Sequence, residues 1–217
     1  MDYEQARFNM VEQQIRPWEV LDTAVLDLLF KVKREDYVPA QYRSLAFVDM
    51  EIPLGHGEAM WAPKIEARVL QALNPGKQER VLEVGTGSGY LTALLAHRAS
   101  LVVTVEVHED LRQAAEKKFR AHGLTNIQTR QGDAAAEWNE DGLFDLIVLT
   151  GSTPLPPERH LRRLNPGGRL FALVGEAPAM SARLSTCVAP GVFRHADLFE
   201  TCVKALVNAP QPERFVF

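Results

Sequence analysis

An apolar run that ends in three glycines spaced two apart leaves a chain few ways to fold. Residues 81–89 read Val-Leu-Glu-Val-Gly-Thr-Gly-Ser-Gly, and the helix-like run Tyr90-Leu91-Thr92-Ala93-Leu94-Leu95-Ala96 follows directly. Gly85, Gly87 and Gly89 carry no Cβ, so the backbone can turn tightly out of a strand and approach a ligand closely. The first turn of the new helix then aims unpaired N–H groups at an anion. Such a turn belongs to an α/β sheet, and a ligand bound there is held mainly by main chain.

From Arg80 onward, short aliphatic or β-branched runs alternate with helical patterns, the signature of a parallel sheet covered on both faces. Strands are expected at 81–85, 101–107, 126–130, 144–150 and 169–174, with helices near 90–98, 110–122 and 157–164. Gly123 suits the C-terminal stop of the middle helix, and Asn165-Pro166-Gly167-Gly168 predicts a turn before the fifth strand. After Gly175 two extended runs, 182–188 and 196–207, joined by Pro190-Gly191, read as an antiparallel hairpin at one edge of the sheet. Upstream, Phe8, Val11 and Ile15 and then Val25, Leu26, Leu28 and Leu29 mark two amphipathic helices within 3–32, interrupted by Pro17. Pro39, Pro53, Gly55 and Gly57 punctuate an irregular segment through Trp61. Pro63 then suits the first turn of a helix carrying Ile65, Val69, Leu70 and Leu73, which Asn74-Pro75-Gly76 closes.

A chain of 217 residues, 46% of them hydrophobic, has apolar material for one large domain and too little length for two ample ones. The expected division is 1–62 as an N-terminal helical cap and acceptor segment, 63–175 as a ligand-binding core and 176–217 as an edge hairpin and tail. A net charge of −4 offers no field to gather nucleic acid. The basic run 159–163 reads as the solvated face of a helix. Cys187 and Cys202 form neither a disulfide framework nor a C-x-x-C pair, so no metal site is expected and reduced thiols fit a cytoplasmic protein. No apolar stretch approaches the roughly twenty residues needed to span a bilayer, and Met1-Asp2-Tyr3-Glu4 lacks the pattern of a secretion signal.

Spacing narrows the ligand. A dinucleotide fingerprint wants G-x-G-x-x-G, whereas here the third glycine follows the second after one residue, which also disfavours a nicotinamide oxidoreductase. A tight G-x-G-x-G after a strand that carries an acid, Glu83, is the form used in Rossmann-like methyltransferases, where the anion at the helix end is the carboxylate of S-adenosylmethionine. Thr86 and Ser88 lie within this turn. Glu106 ends the second strand about twenty residues later, where a Rossmann-type site places the acid that accepts from both ribose hydroxyls. Glu109 and Asp110 serve the helix N-terminus. Asp133, after the third strand, stands where an acid faces the adenine; it can equally close an Asx turn before Ala134-Ala135-Ala136. Thr150-Gly151-Ser152 ends the fourth strand, leaving room for a methyl group and its acceptor. Methyl transfer is an in-line displacement and needs no metal. An acceptor carboxylate, with a pKa near 4, is already ionised at neutral pH and needs no general base. A hydroxyl or amine would need one, and His56, between two glycines, is the lone candidate; an incidental loop histidine is the alternative.

With Val81 through Gly89, Glu106, Gly132-Asp133, Phe144-Asp145 and Pro166-Gly167-Gly168-Arg169-Leu170 in place, the chain resembles the protein-L-isoaspartate O-methyltransferases. Met10-Val11-Glu12-Gln13, Val25-Leu26, Tyr37-Val38-Pro39 and Ile52-Pro53-Leu54-Gly55-His56-Gly57 extend the resemblance over roughly residues 8 to 175. It implies a seven-stranded, Rossmann-like methyltransferase sheet preceded by N-terminal helices, with Gly85, Gly87, Glu106 and Asp133 on the cofactor positions. It also implies S-adenosylmethionine as donor, the carboxylate of isoaspartyl residues in damaged proteins as acceptor, and a mostly monomeric cytosolic repair enzyme.

After Gly57 the chain departs from the family. Where the family reads Gln-Thr-Ile-Ser-Gln-Pro-Tyr, this sequence has Glu58-Ala59-Met60-Trp61-Ala62-Pro63-Lys64, so Trp61 stands at the position of an active-site serine. Losing groups that hydrogen-bond a charged acceptor costs on the order of 1.5 to 3 kcal/mol each. Lys64, at a helix start, is a candidate to pair with the acceptor carboxylate, with an exposed lysine as the alternative, and Trp61 to stack on a planar substrate or pack as a lid. The chain also lacks the family's Arg-Phe-Val-Pro-Leu ending. Two other readings stay open: a methyltransferase for a small or aromatic acceptor, and a cofactor-binding protein without catalysis.

Overall fold

The structure is a computed structural model that describes residues 2–135 and 142–213. Asp2 caps the first helix, α1 (Tyr3–Met10), by accepting from the N–H groups of Glu4 and Gln5 at 3.1 Å. The chain then widens over Val11–Ile15, tightens over Arg16–Trp18 around Pro17, and breaks at Glu19, which takes φ 59°. Asp22 caps α2 (Thr23–Lys31) through the Ala24 N–H at 2.8 Å. Between the short turns Arg34–Asp36 and Ala40–Leu45 and the next helix lies a small antiparallel hairpin, β1 (Ile52–Gly55) and β2 (Glu58–Met60), with His56 and Gly57 at its tip. The sequence does not suggest this pair, because Pro53 and the glycines read as loop punctuation. Pro63 opens α3 (Pro63–Leu73), and Asn74 at φ 41° closes it.

The main sheet begins with β3 (Arg80–Val84), followed by α4 (Tyr90–Ala96), β4 (Leu101–Glu106), α5 (Glu109–Ala121) and β5 (Ile127–Gln131). It continues with β6 (Phe144–Thr153), α6 (Glu158–Leu161), β7 (Leu164–Glu176), β8 (Ala179–Ala189) and β9 (Val192–Thr201). The order is β5-β4-β3-β6-β7-β8-β9, parallel from β5 through β7 and antiparallel across β7-β8 and β8-β9. Val81 packs with the N-terminal segments, α3, α4 and α5 on one face, while Leu82 packs with Val103, Ile147 and Leu161 on the other. Successive residues of a doubly covered strand point to opposite faces, so both must be apolar. The chain winds from β3 outward through β4 to β5, then returns to lay β6 on the other side of β3. That reversal opens a crevice above the carboxyl ends of β3, β4 and β6.

The seven strands expected for the main sheet are thus present among the described residues with their expected senses, but several boundaries differ; the fourth strand, for one, runs on to Thr153. The expected helix 157–164 shortens to Glu158–Leu161, because the Arg163 carbonyl already accepts from the Phe144 N–H at 2.8 Å and starts the next strand. Leu164 pairs with Phe144 and Arg169 with Leu146, so Asn165-Pro166-Gly167-Gly168 bulges inside β7 rather than preceding it. The second hairpin arm, expected to reach 207, leaves the sheet after Thr201. The Ser152 N–H donates to the Lys204 carbonyl at 3.0 Å, and the Leu206 N–H to the Ser152 carbonyl at 2.9 Å, which lays 203–207 across the crevice. Ala136 of the proposed alanine cap and the last four residues of the tail lie outside the described residues.

Candidate active site

Gly85, Gly87 and Gly89 take φ of 96°, 51° and 83°, a region that L side chains rarely adopt. Space forbids a side chain at two of them as well. A Cβ on Gly85 would stand 2.2 Å from Thr150 Oγ1, and one on Gly89 would stand 2.8 Å from the Phe119 ring of α5. Thr150 shares its hydroxyl proton between the carbonyls of Val84 and Gly85, at 2.8 and 2.7 Å, and so pins the strand end to β6. Glu106, buried at the end of β4, accepts from the Gly87 N–H at 2.8 Å and from the His108 N–H at 3.0 Å. Those two amides orient the carboxylate along the crevice.

Gly85, Gly87, Glu106, Asp133 and Thr150 line one open cleft of about 730 Å³, counting the space continuous with solvent. Asp133 spends one oxygen on an Asx turn, accepting from the Ala135 N–H at 3.0 Å, and the other on the Asn208 side-chain amide at 2.7 Å. The turn reading of Asp133 therefore coexists with its place in the cleft. Carboxylates of Glu51, Glu58, Glu106 and Asp133 outnumber the single ammonium of Lys204 among the described lining residues. Burial raises the pKa of Glu51 above the ordinary carboxylate value. An anionic wall of this kind suits a ligand with a cationic head.

Glu83, Thr86 and Ser88 stand behind the loop and line a second space of about 320 Å³, again counting space open to solvent, shared with Glu66 and Trp61. Glu83 is fully buried, and burial pushes its carboxyl up to about 8, against the pull of the Thr104 and Thr92 hydroxyls at 2.6 and 2.5 Å. Its Oε1 has no hydrogen-bond partner among the described residues. Thr86 joins the same chain through Thr104 at 2.6 Å, and Ser88 accepts from the Tyr90 N–H at 3.2 Å. The Ser88 carbonyl is held from outside by Lys118 Nζ at 3.0 Å, whose burial lowers it to about 8. An orphaned acid oxygen and a cradle of bare main chain are features that a ligand bearing a cation and a carboxylate fits.

The three acceptor candidates fare differently. Trp61 is 6% exposed, lines both spaces and has its carbonyl held by Arg34 Nη2 at 2.6 Å, so it is a packed wall of the site. Lys64 does not face the cleft: it pairs with Asp49 at 2.7 Å and lies 4.2 Å over the Trp18 ring. His56 is an exposed residue at the hairpin tip, bonded to Asp110 at 3.0 Å and stacked on His108 at 4.1 Å. The cleft instead receives Glu58, His108, Lys204 and Leu206. No local pattern flags them, because Glu58 and Lys204, which form an ion pair, are separated by 146 positions.

A family model described as protein-L-isoaspartate(D-aspartate) O-methyltransferase matches residues 5–188. The chain is 38% identical over 176 residues to a protein-L-isoaspartate O-methyltransferase of Petrotoga mobilis, a match that covers 81% of this chain and 83% of that one. It is 40% identical over 169 residues to protein-L-isoaspartate O-methyltransferase 1 of Rhodopseudomonas palustris, covering 78% and 69%. Among solved structures it is similar to a Plasmodium falciparum chain described as a protein-L-isoaspartate O-methyltransferase in complex with S-adenosyl-L-homocysteine. The TM-score is 0.78 at 21% identity, with 95% of this chain and 99% of that one covered, a likeness of fold.

Proposed function

The chain belongs to the protein-L-isoaspartate(D-aspartate) O-methyltransferase family, and we propose that its site methylates the free carboxylate of isoaspartyl residues in damaged proteins and peptides. It is an S-adenosylmethionine-dependent methyltransferase; the cofactor supplies an electrophilic methyl group on a sulfonium. One observation carries the assignment of residues: Glu106 hydrogen-bonds the Gly87 N–H at 2.8 Å, joining the ends of β3 and β4 into a single binding edge inside the family match. The main chain of Gly85 and Gly87 offers close approach, Glu106 offers acceptors for vicinal hydroxyls, and Asp133 offers one for an amine. Glu83, protonated at neutral pH, and Thr150 hold the loop in that shape.

The chain's part in the reaction is to bind, orient and keep water out. A carboxylate acceptor is ionised at neutral pH, so no side chain has to remove a proton. Leu54, Trp61, Val203 and Leu206 form the apolar cover of the cleft, which strengthens electrostatic contacts inside it. The relatives disfavour the two other readings, a small or aromatic acceptor and a silent binder. No helix among the described residues is long and apolar enough to cross a membrane. A cytoplasmic location and a monomer or weak homo-oligomer go with the repair reading.

Incubation with labelled S-adenosylmethionine and an isoaspartyl peptide, with the ordinary aspartyl peptide as control, tests the proposal. The expected outcome is a base-labile methyl ester on the isoaspartyl peptide alone. Protein that binds S-adenosylhomocysteine yet forms no ester overturns the acceptor assignment.

A further inference from the structure

We propose that Lys204 recognises the negative charge of the methyl acceptor, and that Glu58 is the place-holder it leaves when an acceptor carboxylate arrives. The proposal rests on the reading of the site as an isoaspartyl methyltransferase. It starts from a deficit. At Ala59, Trp61 and Ala62 the acceptor segment offers no hydroxyl or carboxamide, and Lys64 is turned away to Asp49 at 2.7 Å. The same wall presents the carboxylates of Glu51 and Glu58. An anionic acceptor entering such a wall needs a countercharge.

Lys204 is the one lysine or arginine among the described residues that line the cleft. Its backbone is fixed by the bond from the Ser152 N–H to its carbonyl at 3.0 Å, while its side chain is half exposed. Its ammonium pairs with Glu58 on β2, and a Cβ added to Gly57 would come within 3.4 Å of it. Glu58 has a second neighbour for its charge in His108 Nε2 at 3.9 Å. A solvent-accessible ion pair is weak, so exchanging one carboxylate for another is cheap.

The charge change of the reaction then drives the cycle. The acceptor oxygen forms its bond to the methyl carbon as the methyl–sulfur bond breaks, and the electron pair of that bond stays on sulfur. The carboxylate becomes a neutral ester and no proton moves. Lys204 loses its partner and returns to Glu58, so the esterified product is held less tightly than the substrate.

Binding of two peptides to the protein saturated with S-adenosylhomocysteine tests this without turnover: the isoaspartyl peptide and its methyl ester, each titrated calorimetrically into wild type, Lys204→Met, Lys204→Arg and Glu58→Gln. Lys204→Met is expected to weaken the free-acid peptide about tenfold or more and leave the ester peptide and S-adenosylhomocysteine within about twofold. Lys204→Arg should retain most of the affinity, and Glu58→Gln should tighten the free acid. Equal losses for acid and ester, or no loss for either, overturn the Lys204 assignment while wild-type binding keeps the acceptor assignment standing. Wild type that binds no isoaspartyl peptide overturns both. Unchanged uptake of S-adenosylhomocysteine by Lys204→Met shows that the variant is folded.

Discussion

Beneath the glycine turn the Glu83 carboxyl meets two threonine hydroxyls, at 2.5 and 2.6 Å, and burial pushes its pKa up to about 8. In the unfolded chain the same group ionises near its ordinary value of 4.5. Below that pH both states are protonated and the group contributes nothing to pH dependence. Between 4.5 and about 8 the unfolded chain releases a proton that the folded one keeps, so stability falls as pH rises, and it levels off above about 8. Urea titrations across that window should show a decline of a few kcal/mol in the wild type that Glu83→Gln lacks. An equal slope in the two proteins would refute a buried protonated acid. The sequence displays Glu83 as an acid beside glycines. Its protonation state is set by burial in the folded core, which outweighs the opposing hydrogen bonds of Thr92 from α4 and Thr104 from β4.

Among elements, the strands were the most legible, since apolar runs bounded by glycine and proline need only local information. Their ends were less so. Residues 203–207 have the composition of an edge strand, and nothing local says that they leave β9 and cross the crevice beside Ser152. Gly151 makes that crossing possible: a Cβ there would meet the side chain of Leu206 at 2.9 Å and its backbone nitrogen at 3.0 Å. Gly151→Val is therefore expected to displace the segment and raise the Kd for S-adenosylhomocysteine about tenfold. The sheet should stay intact by far-UV circular dichroism. Calorimetric affinity equal to wild type would show that the segment gives no cover to the ligand. The hairpin that carries Glu58 is not legible for a related reason, since strands of four and three residues lie below the length at which alternation can be read.

For the molecule as a whole, buried ion pairs hold the N-terminal segments to one another and to α3. Arg34 is fully buried, and burial lowers its pKa to about 10. It pairs with Glu66 of α3, donates to the Ala46 and Trp61 carbonyls at 2.9 and 2.6 Å, and lies 5.1 Å over the Tyr90 ring. Arg7 makes a comparable buried pair with Glu35. Removing one partner strands the other, so Arg34→Ala should cost on the order of 3–5 kcal/mol in urea unfolding. Combining it with Glu66→Gln should restore part of the loss. A double variant as unstable as the sum of the two single changes would show that the pair is not coupled. Because Arg34 also holds the Trp61 carbonyl, this network sets the wall of the active site from the far side.

The fold class, the glycine turn and the acids at the ends of the second and third strands could be read from the chain alone, because each rests on spacing along one strand or one turn. The same holds for the cofactor. The acceptor side could not: the sequence points to Lys64 at a helix start, and packing turns that lysine toward Asp49 and brings Lys204 to the cleft instead. Contacts between positions 146 apart leave no local trace, since the entropy of closing so long a loop is met by the whole core rather than by the residues that touch.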